Sequence, residues 1–241
     1  MTIEFISDIL LIGLIGGGLH LDRTAAFQFL VSRPIVASVI AGSVLGEPMV
    51  GLGSGLVLEL LWLGIHPLGT SIPPDDTVVS VAVPAGVILA DRLTGQILGP
   101  DPAAVLALAI LMALPLAAVG RWMDIGLRVL NGRFLKAARE GIKAGDHRVI
   151  GRQVAKSILA IFSAFTVLTI VGACILSALI SILYPFLDQR FILALKLVYF
   201  TTPFFGAAGM LTRLRESGRF RLSAAFLATY AILFIAVRCV L

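Results

Sequence analysis

Four acidic side chains and one imidazole, Glu47, Glu59, Asp75, Asp76 and His66, lie in or beside apolar segments of this 241-residue chain. Ionised groups at such positions are costly against lipid, so they face protein, water or one another. Glu59 is the sharpest case. It follows eleven uncharged residues and precedes another uncharged run, so it is predicted to be paired, protonated or turned to a polar cavity. A structural ion pair with Arg33 competes with a site role. His20 and His66 stand at the ends of apolar segments, whereas His147 lies in a basic stretch and reads as solvated. No nucleophile–base pair, metal-ligand spacing, Walker loop or dinucleotide fingerprint is present, so no catalytic residue, cofactor or metal is expected on this chain. The run G-L-G-S-G at 51–55 lacks the phosphate-loop lysine and reads as helix packing.

The elements that must position these residues are unusual. The apolar segments 34–46 and 49–58 are each too short to cross a bilayer, which takes roughly 20 residues. Glycines and prolines, among them Pro34, Gly46, Pro48, Pro67, Pro73 and Pro74, interrupt any long helix through 22–76. Broken helices carrying polar groups, buried in protein, are how transporters build a midplane site. The predicted fold is an all-α integral membrane protein, a polytopic helical bundle with broken or re-entrant half-helices. Residues 3–19 read as the first membrane helix and not a cleaved signal, because Glu4 and Asp8 replace a positive leader. Residues 77–90 read as a short segment interrupted by Pro84 and Gly86, 102–120 as a span kinked at Pro115, and 157–183 as a charge-free span. Segments 191–211 and 222–237 follow. The whole of 1–241 reads as one membrane domain, with 13–90 bearing the polar motifs, 121–156 a basic arm, and 157–241 a C-terminal hairpin and last helix.

Composition agrees. The chain is 59% hydrophobic and 14% charged, with a mean hydropathy of +1.02, more apolar surface than a soluble domain of this size could bury. Its net charge of +5 does not point to nucleic acid. Nine Lys and Arg lie in 121–156 and four in 213–221, out of 19, the clustering expected of cytoplasmic loops. Within the first cluster Leu127, Leu130, Phe134, Ala138 and Ile142 recur at helical spacing, which predicts an amphipathic arm on the membrane surface and a docking face for an acidic soluble partner. Cys174 and Cys239 sit far apart in apolar runs and read as inert buried thiols.

Four stretches in order, F-Q-F-L-V-S-R-P-I at 27–35, V-L-G at 44–46, G-L-G-S-G-L-V-L-E-L-L-W-L-G at 51–64 and P-P-D-D at 73–76, resemble the enzyme IIC subunit of the mannose/fructose/sorbose family of the bacterial phosphotransferase system. The resemblance is strongest over 13–90. It implies a permease subunit in the cell inner membrane, working with an enzyme IID membrane subunit in a hetero-oligomer. A sugar, a hexose by the family's habit, would cross through it and be phosphorylated by phosphorylated IIB, which IIA recharges. By the same resemblance Gln28, Glu59 and Asp75 line the sugar path. Carboxylates and amides bond vicinal hydroxyls, Trp62 offers an aromatic face to a sugar ring, and His66 joins the set. His66-Pro67 departs from the small polar residues expected there in mannose-type members. The competing readings are a secondary transporter of a small polar solute, a non-transporting anchor or receptor, and a membrane-embedded enzyme.

Overall fold

The computed structural model describes residues 2–26, 28–63, 72–99 and 101–213. They form seven α-helices with no strand among them: α1 (Thr2–Thr24), α2 (Pro34–Val44), α3 (Pro48–Trp62), α4 (Asp76–Thr94), α5 (Ala103–Lys143), α6 (Arg148–Leu183) and α7 (Gln189–Arg213). α1, α4, α5 and α6 are long and apolar enough to cross a membrane. The all-α membrane bundle is therefore as expected.

Local chemistry sets the breaks. α2 and α3 each begin with a proline at the first helical position, where the missing N–H costs nothing and φ is already helical. Gly46, at φ +85°, makes the turn between them in a conformation that suits a residue without Cβ. The two short helices form an antiparallel hairpin whose seam is nearly backbone on backbone. A Cβ on Gly42 would come within 2.8 Å of the Gly51 nitrogen, and one on Gly55 within 2.9 Å of the Ile35 Cα. The glycine run thus serves packing, as its sequence predicts.

The hairpin lies along α4. At its tip the Leu45 carbonyl accepts from Arg92, which also pairs with Asp8 near the start of α1. At its base, Ser38 donates to the Ser80 carbonyl at 2.7 Å and Thr77 to the Ser32 carbonyl at 3.2 Å. From Asp76 to Arg92 the helical rise is about 24 Å, so the hairpin follows most of the length of α4 before turning back.

Three expectations need correction. Residues 77–90 are no short segment: α4 runs for 19 residues through Pro84 and is buried along nearly all of that length. Its packing against α2, α3, α5 and α6 holds the backbone that Pro84 leaves short of one donor. The first helix continues past residue 19 to Thr24. The basic stretch 121–156 is helical, as expected of the arm, but is not a separate helix. It is the distal part of α5 and the start of α6, joined at 144–147 with Gly145 at φ +84°. α5 has 41 residues, a length of about 60 Å, roughly twice a bilayer's hydrocarbon core. Leu127 and Leu130 of the predicted apolar face pack with Ile161 and Phe165 of α6, so the proximal part of that stripe meets the partner helix, whereas Ile142 at its far end is exposed. α7, with Lys196, is continuous through Pro203. The second basic loop lies outside the described residues apart from Arg213.

Candidate functional site

At the end of the bundle nearer the basic hairpin, the last turn of α1, the end of α3, the first turn of α4 and the middle of α5 converge. The last turn of α1 carries His20, Asp22 and Arg23. Asp75 caps α4, its carboxylate accepting the Val78 N–H at 3.1 Å, as a short acidic side chain does at an N-cap. Asp76 opens the helix, where a negative charge suits the dipole. Arg23 clamps this turn: its guanidinium donates to Asp75 Oδ1 at 2.9 Å, to Asp76, and to the Pro74 carbonyl at 3.1 Å. α5 comes close because of Gly120, where a Cβ would lie 2.5 Å from that of Asp75. The Asp75 N–H donates to Ala117 O at 2.9 Å.

Asp75 is only 1% exposed and His20 likewise. His20 Nδ1 stands 3.3 Å from Asp75 Oδ2, without the alignment of a hydrogen bond, and the imidazole stacks on Phe165 with ring centroids 3.2 Å apart. Asp75 thus sits beneath a cleft and does not line it.

The cleft, about 270 Å³, is lined by Arg23, Leu30, Ser32, Arg33, Trp62, Pro73, Pro74, Asp76, Asp124 and Arg128, together with Thr24, Ile72 and Thr77. Its volume falls just under the ~300–1,000 Å³ of typical small-molecule pockets. Apolar platforms (Trp62, Leu30, the prolines) face guanidinium and carboxylate groups, a mixture that suits a small polyhydroxy solute. A second cavity of about 140 Å³ between α3, α5 and α7 is nearly all apolar and offers a polar solute little.

Of the residues singled out from sequence, Trp62 lines the cleft. Glu59 stands one turn before it on α3, with Oε1 3.5 Å from Arg33 and Oε2 accepting the Ile35 N–H at 3.3 Å. It therefore holds the start of α2, an arrangement in line with the ion-pair reading. Gln28 lies in the α1–α2 loop, exposed, with φ +55°, and is not among the cleft-lining residues. His66 lies outside the described residues. Sequence reasoning missed Arg23 as the clamp, placed Asp124 and Arg128 only within the basic arm, and chose Asp75 where Asp76 is the carboxylate that reaches the cleft. The adjacent pair gives no periodic clue, because the N-cap and first helical residue differ only in where the folded turn directs them. No group of three or more His, Cys, Asp or Glu suited to a metal ion occurs among the described residues.

Comparison with known proteins agrees on one family. A family model described as the sorbose-specific IIC component of the phosphotransferase system matches residues 6–236. The fructose permease IIC component of Bacillus subtilis is 31% identical over 136 residues, 56% of this chain and 45% of that protein. The mannose-specific EIIC component of Escherichia coli K12 is 28% identical over 145 residues, 60% of this chain and 48% of that one. The sorbose-specific EIIC component of Lacticaseibacillus casei is 30% identical over 150 residues, 62% and 48% of the two chains. The alignments thus span about half the length of these curated relatives. Among solved structures, one described as a membrane protein superposes with a TM-score of 0.69 at 21% identity, covering 100% of this chain and 95% of that one. The mannose transporter ManYZ in complex with microcin E492 gives a TM-score of 0.58 at 21% identity, with 100% and 96% covered. At that identity the likeness concerns the fold.

Proposed function

This chain belongs to the family of sorbose-specific IIC components of the phosphotransferase system, and from that premise we propose that it is a permease subunit for phosphorylation-coupled sugar uptake. The observation that carries the reading is the cleft between the α2–α3 hairpin and the first turn of α4. There Trp62 offers an aromatic face beside Asp76, Arg23 and Arg33, the combination that binds a sugar's C–H face and its hydroxyls together. The solute is a hexose or its close relative. Glu59 acts on it through Arg33 and Asp75 through the Arg23 clamp, whereas Gln28 and His66 belong to the proposed set by the family resemblance alone, so these four are secondary to the cleft-lining set.

The α2–α3 hairpin is re-entrant: it enters and leaves at the basic end of the bundle. That end is cytoplasmic, by the excess of Lys and Arg in 121–156 and 213–221. A cleft opening there lets a bound sugar meet a phosphoryl donor. The phosphoryl donor in this reading is phosphorylated IIB, recharged by IIA, with the basic hairpin as its docking face. Lipid and a IID subunit cover the outer faces, where Leu10, Leu14, Val167 and Ile175 are exposed.

The test is reconstitution in liposomes. The chain alone should bind little sugar and phosphorylate none, and both activities should appear when a IID subunit and phosphorylated IIB are added. Trp62→Ala in that complex should weaken sugar binding at least about tenfold, the usual cost of removing a central aromatic contact. Sugar-dependent uptake by the single chain with no phosphoryl donor would overturn the reading and favour a secondary transporter.

A further inference from the structure

Asp22 is a buried carboxylate that neither the clamp nor the cleft lining uses. It is 4% exposed, and no ion pair among the described residues involves it. Its charge is held by backbone donors of the α1–α2 loop: Oδ1 accepts the Phe29 N–H at 2.6 Å and Oδ2 the Ser32 N–H at 3.1 Å. Hydrogen bonds to an ionised acceptor are the strong ones. They span a loop in an uncommon shape, with Gln28 at φ +55° and Leu30 at φ +66°. Two non-glycine residues in the left-handed region within three positions persist only where the surroundings over-determine them.

Other contacts meet the loop at its ends and side chains: Glu59 pairs with Arg33 at 3.5 Å, Val31 packs against the core, the Thr77 hydroxyl donates to the Ser32 carbonyl, and the Gln28 and Arg33 N–H groups donate to Ala26 O and Leu30 O. Asp22 is the side chain that accepts from the loop's own backbone at two points, Phe29 and Ser32, and the loop supplies Leu30, Ser32 and Arg33 to the cleft. We propose that Asp22 is a positioning residue for the cleft: its carboxylate holds the 28–33 loop in its strained form and so presents Leu30, Ser32 and Arg33 to the ligand. Asp22 itself never touches the ligand. With the carboxylate present the binding surface is assembled before the solute arrives, so its loss falls on affinity, through the ordering that binding would then have to accomplish. The inference rests on the sugar-binding reading of this cleft.

The experiment uses the full chain with its IID partner in lipid nanodiscs. In the wild type, residue-resolved hydrogen exchange should find the Phe29 and Ser32 amides slower than that of Leu30. Equal exchange at the three would overturn the proposal before any variant is made. Asp22→Asn keeps the shape but turns one acceptor into a donor facing an N–H. Exchange at Phe29 and Ser32 should then rise about tenfold or more, and sugar affinity should weaken by a similar factor, the scale of one lost charge-assisted hydrogen bond. Turnover at saturating sugar should change less than about twofold, because an ordering cost falls on affinity. Unchanged exchange, or faster exchange with unaltered sugar affinity, would overturn the positioning role, and so would a loss of turnover at constant affinity. Failure of the wild-type complex to bind any sugar would instead refute the reading of the cleft, while the exchange data would still decide whether Asp22 holds the loop.

Discussion

Two adjacent aspartates on one turn differ because Asp75 is buried and Asp76 is partly exposed. Asp75 caps α4, pairs with Arg23 and packs under Gly120, all out of contact with solvent. Removing its charge leaves Arg23 short of one charged partner in a buried setting, while the amide oxygen of Asn still caps α4. Asp75→Asn should therefore cost about 3–5 kcal/mol, the range for breaking one side of a buried pair, and be read as loss of folded protein from the membrane or a large drop in the thermal midpoint. Asp76 is partly exposed to the cleft. Asp76→Asn should keep the fold within about 1 kcal/mol, as for a partly solvated pair, while sugar affinity of the IID complex falls. Equal destabilisation by the two variants, measured by thermal unfolding in detergent, would mean that the clamp shares its energy across both carboxylates.

At the scale of elements, the far end of the bundle is tied by polar contacts of another kind. Asp101, in the α4–α5 connection, pairs with Lys196 of α7 at 2.6 Å and accepts the Ala103 N–H at 3.1 Å. The Lys196 hydrogen bond, with help from that N–H, holds the Asp101 carboxyl below its usual value of 3.8. A carboxylate with a depressed folded-state pKa contributes its stability above the unfolded value and loses it as pH falls through the folded one. The α7 attachment should thus be insensitive to pH near neutrality and loosen only below about pH 4. Asp101→Asn should remove that acid sensitivity, as followed by exchange in 189–200. Elements also set topology. A cysteine replacing Lys136, exposed on the distal part of α5, should resist an impermeant thiol reagent in intact cells and react once cells are opened. Labelling from outside would invert the orientation.

For the whole molecule, the outer faces of α1 and α6 keep large side chains exposed, among them Ile6, Leu10, Leu159 and Ile182, while α4 is wrapped on every side. Such a distribution fits a chain with a dry centre and a surface for lipid or other subunits. The cleft lies where the centre meets the basic hairpin, so the fold brings side chains from α1, α3, α4 and α5 to one level. Each arrives by a different device: a helix C-terminus, the end of a half-length helix, an N-cap, and a glycine that lets α5 close in. The two ends of the bundle also differ in how they are held. The Arg23 clamp is mostly buried, whereas the Asp8–Arg92 and Asp101–Lys196 pairs are partly open to solvent.

The sequence by itself determined the membrane class, because burial of so much apolar surface has no other outlet, and it determined the half-length helices, because Pro34, Gly46 and Pro48 stop and start them locally. It also located the polar stretch from Asp22 to Asp76, since charges among apolar runs need partners. Tertiary structure decided which of those charges share partners. The Glu59–Arg33 approach joins residues 26 positions apart, and the Arg23 clamp reaches 52 and 53 positions along the chain, contacts for which no local pattern exists. It decided that Pro84 sits inside a continuous helix, since the packing around α4 outweighs the local cost. It decided the fate of the basic stretch as well: 3.6-residue periodicity marks an apolar face, but only the fold says whether that face meets lipid or, as for Leu127, the neighbouring helix. Asp76 and not Asp75 reaches the cleft for the same reason, since the direction of a side chain at a helix start depends on how the turn is clamped from a distance.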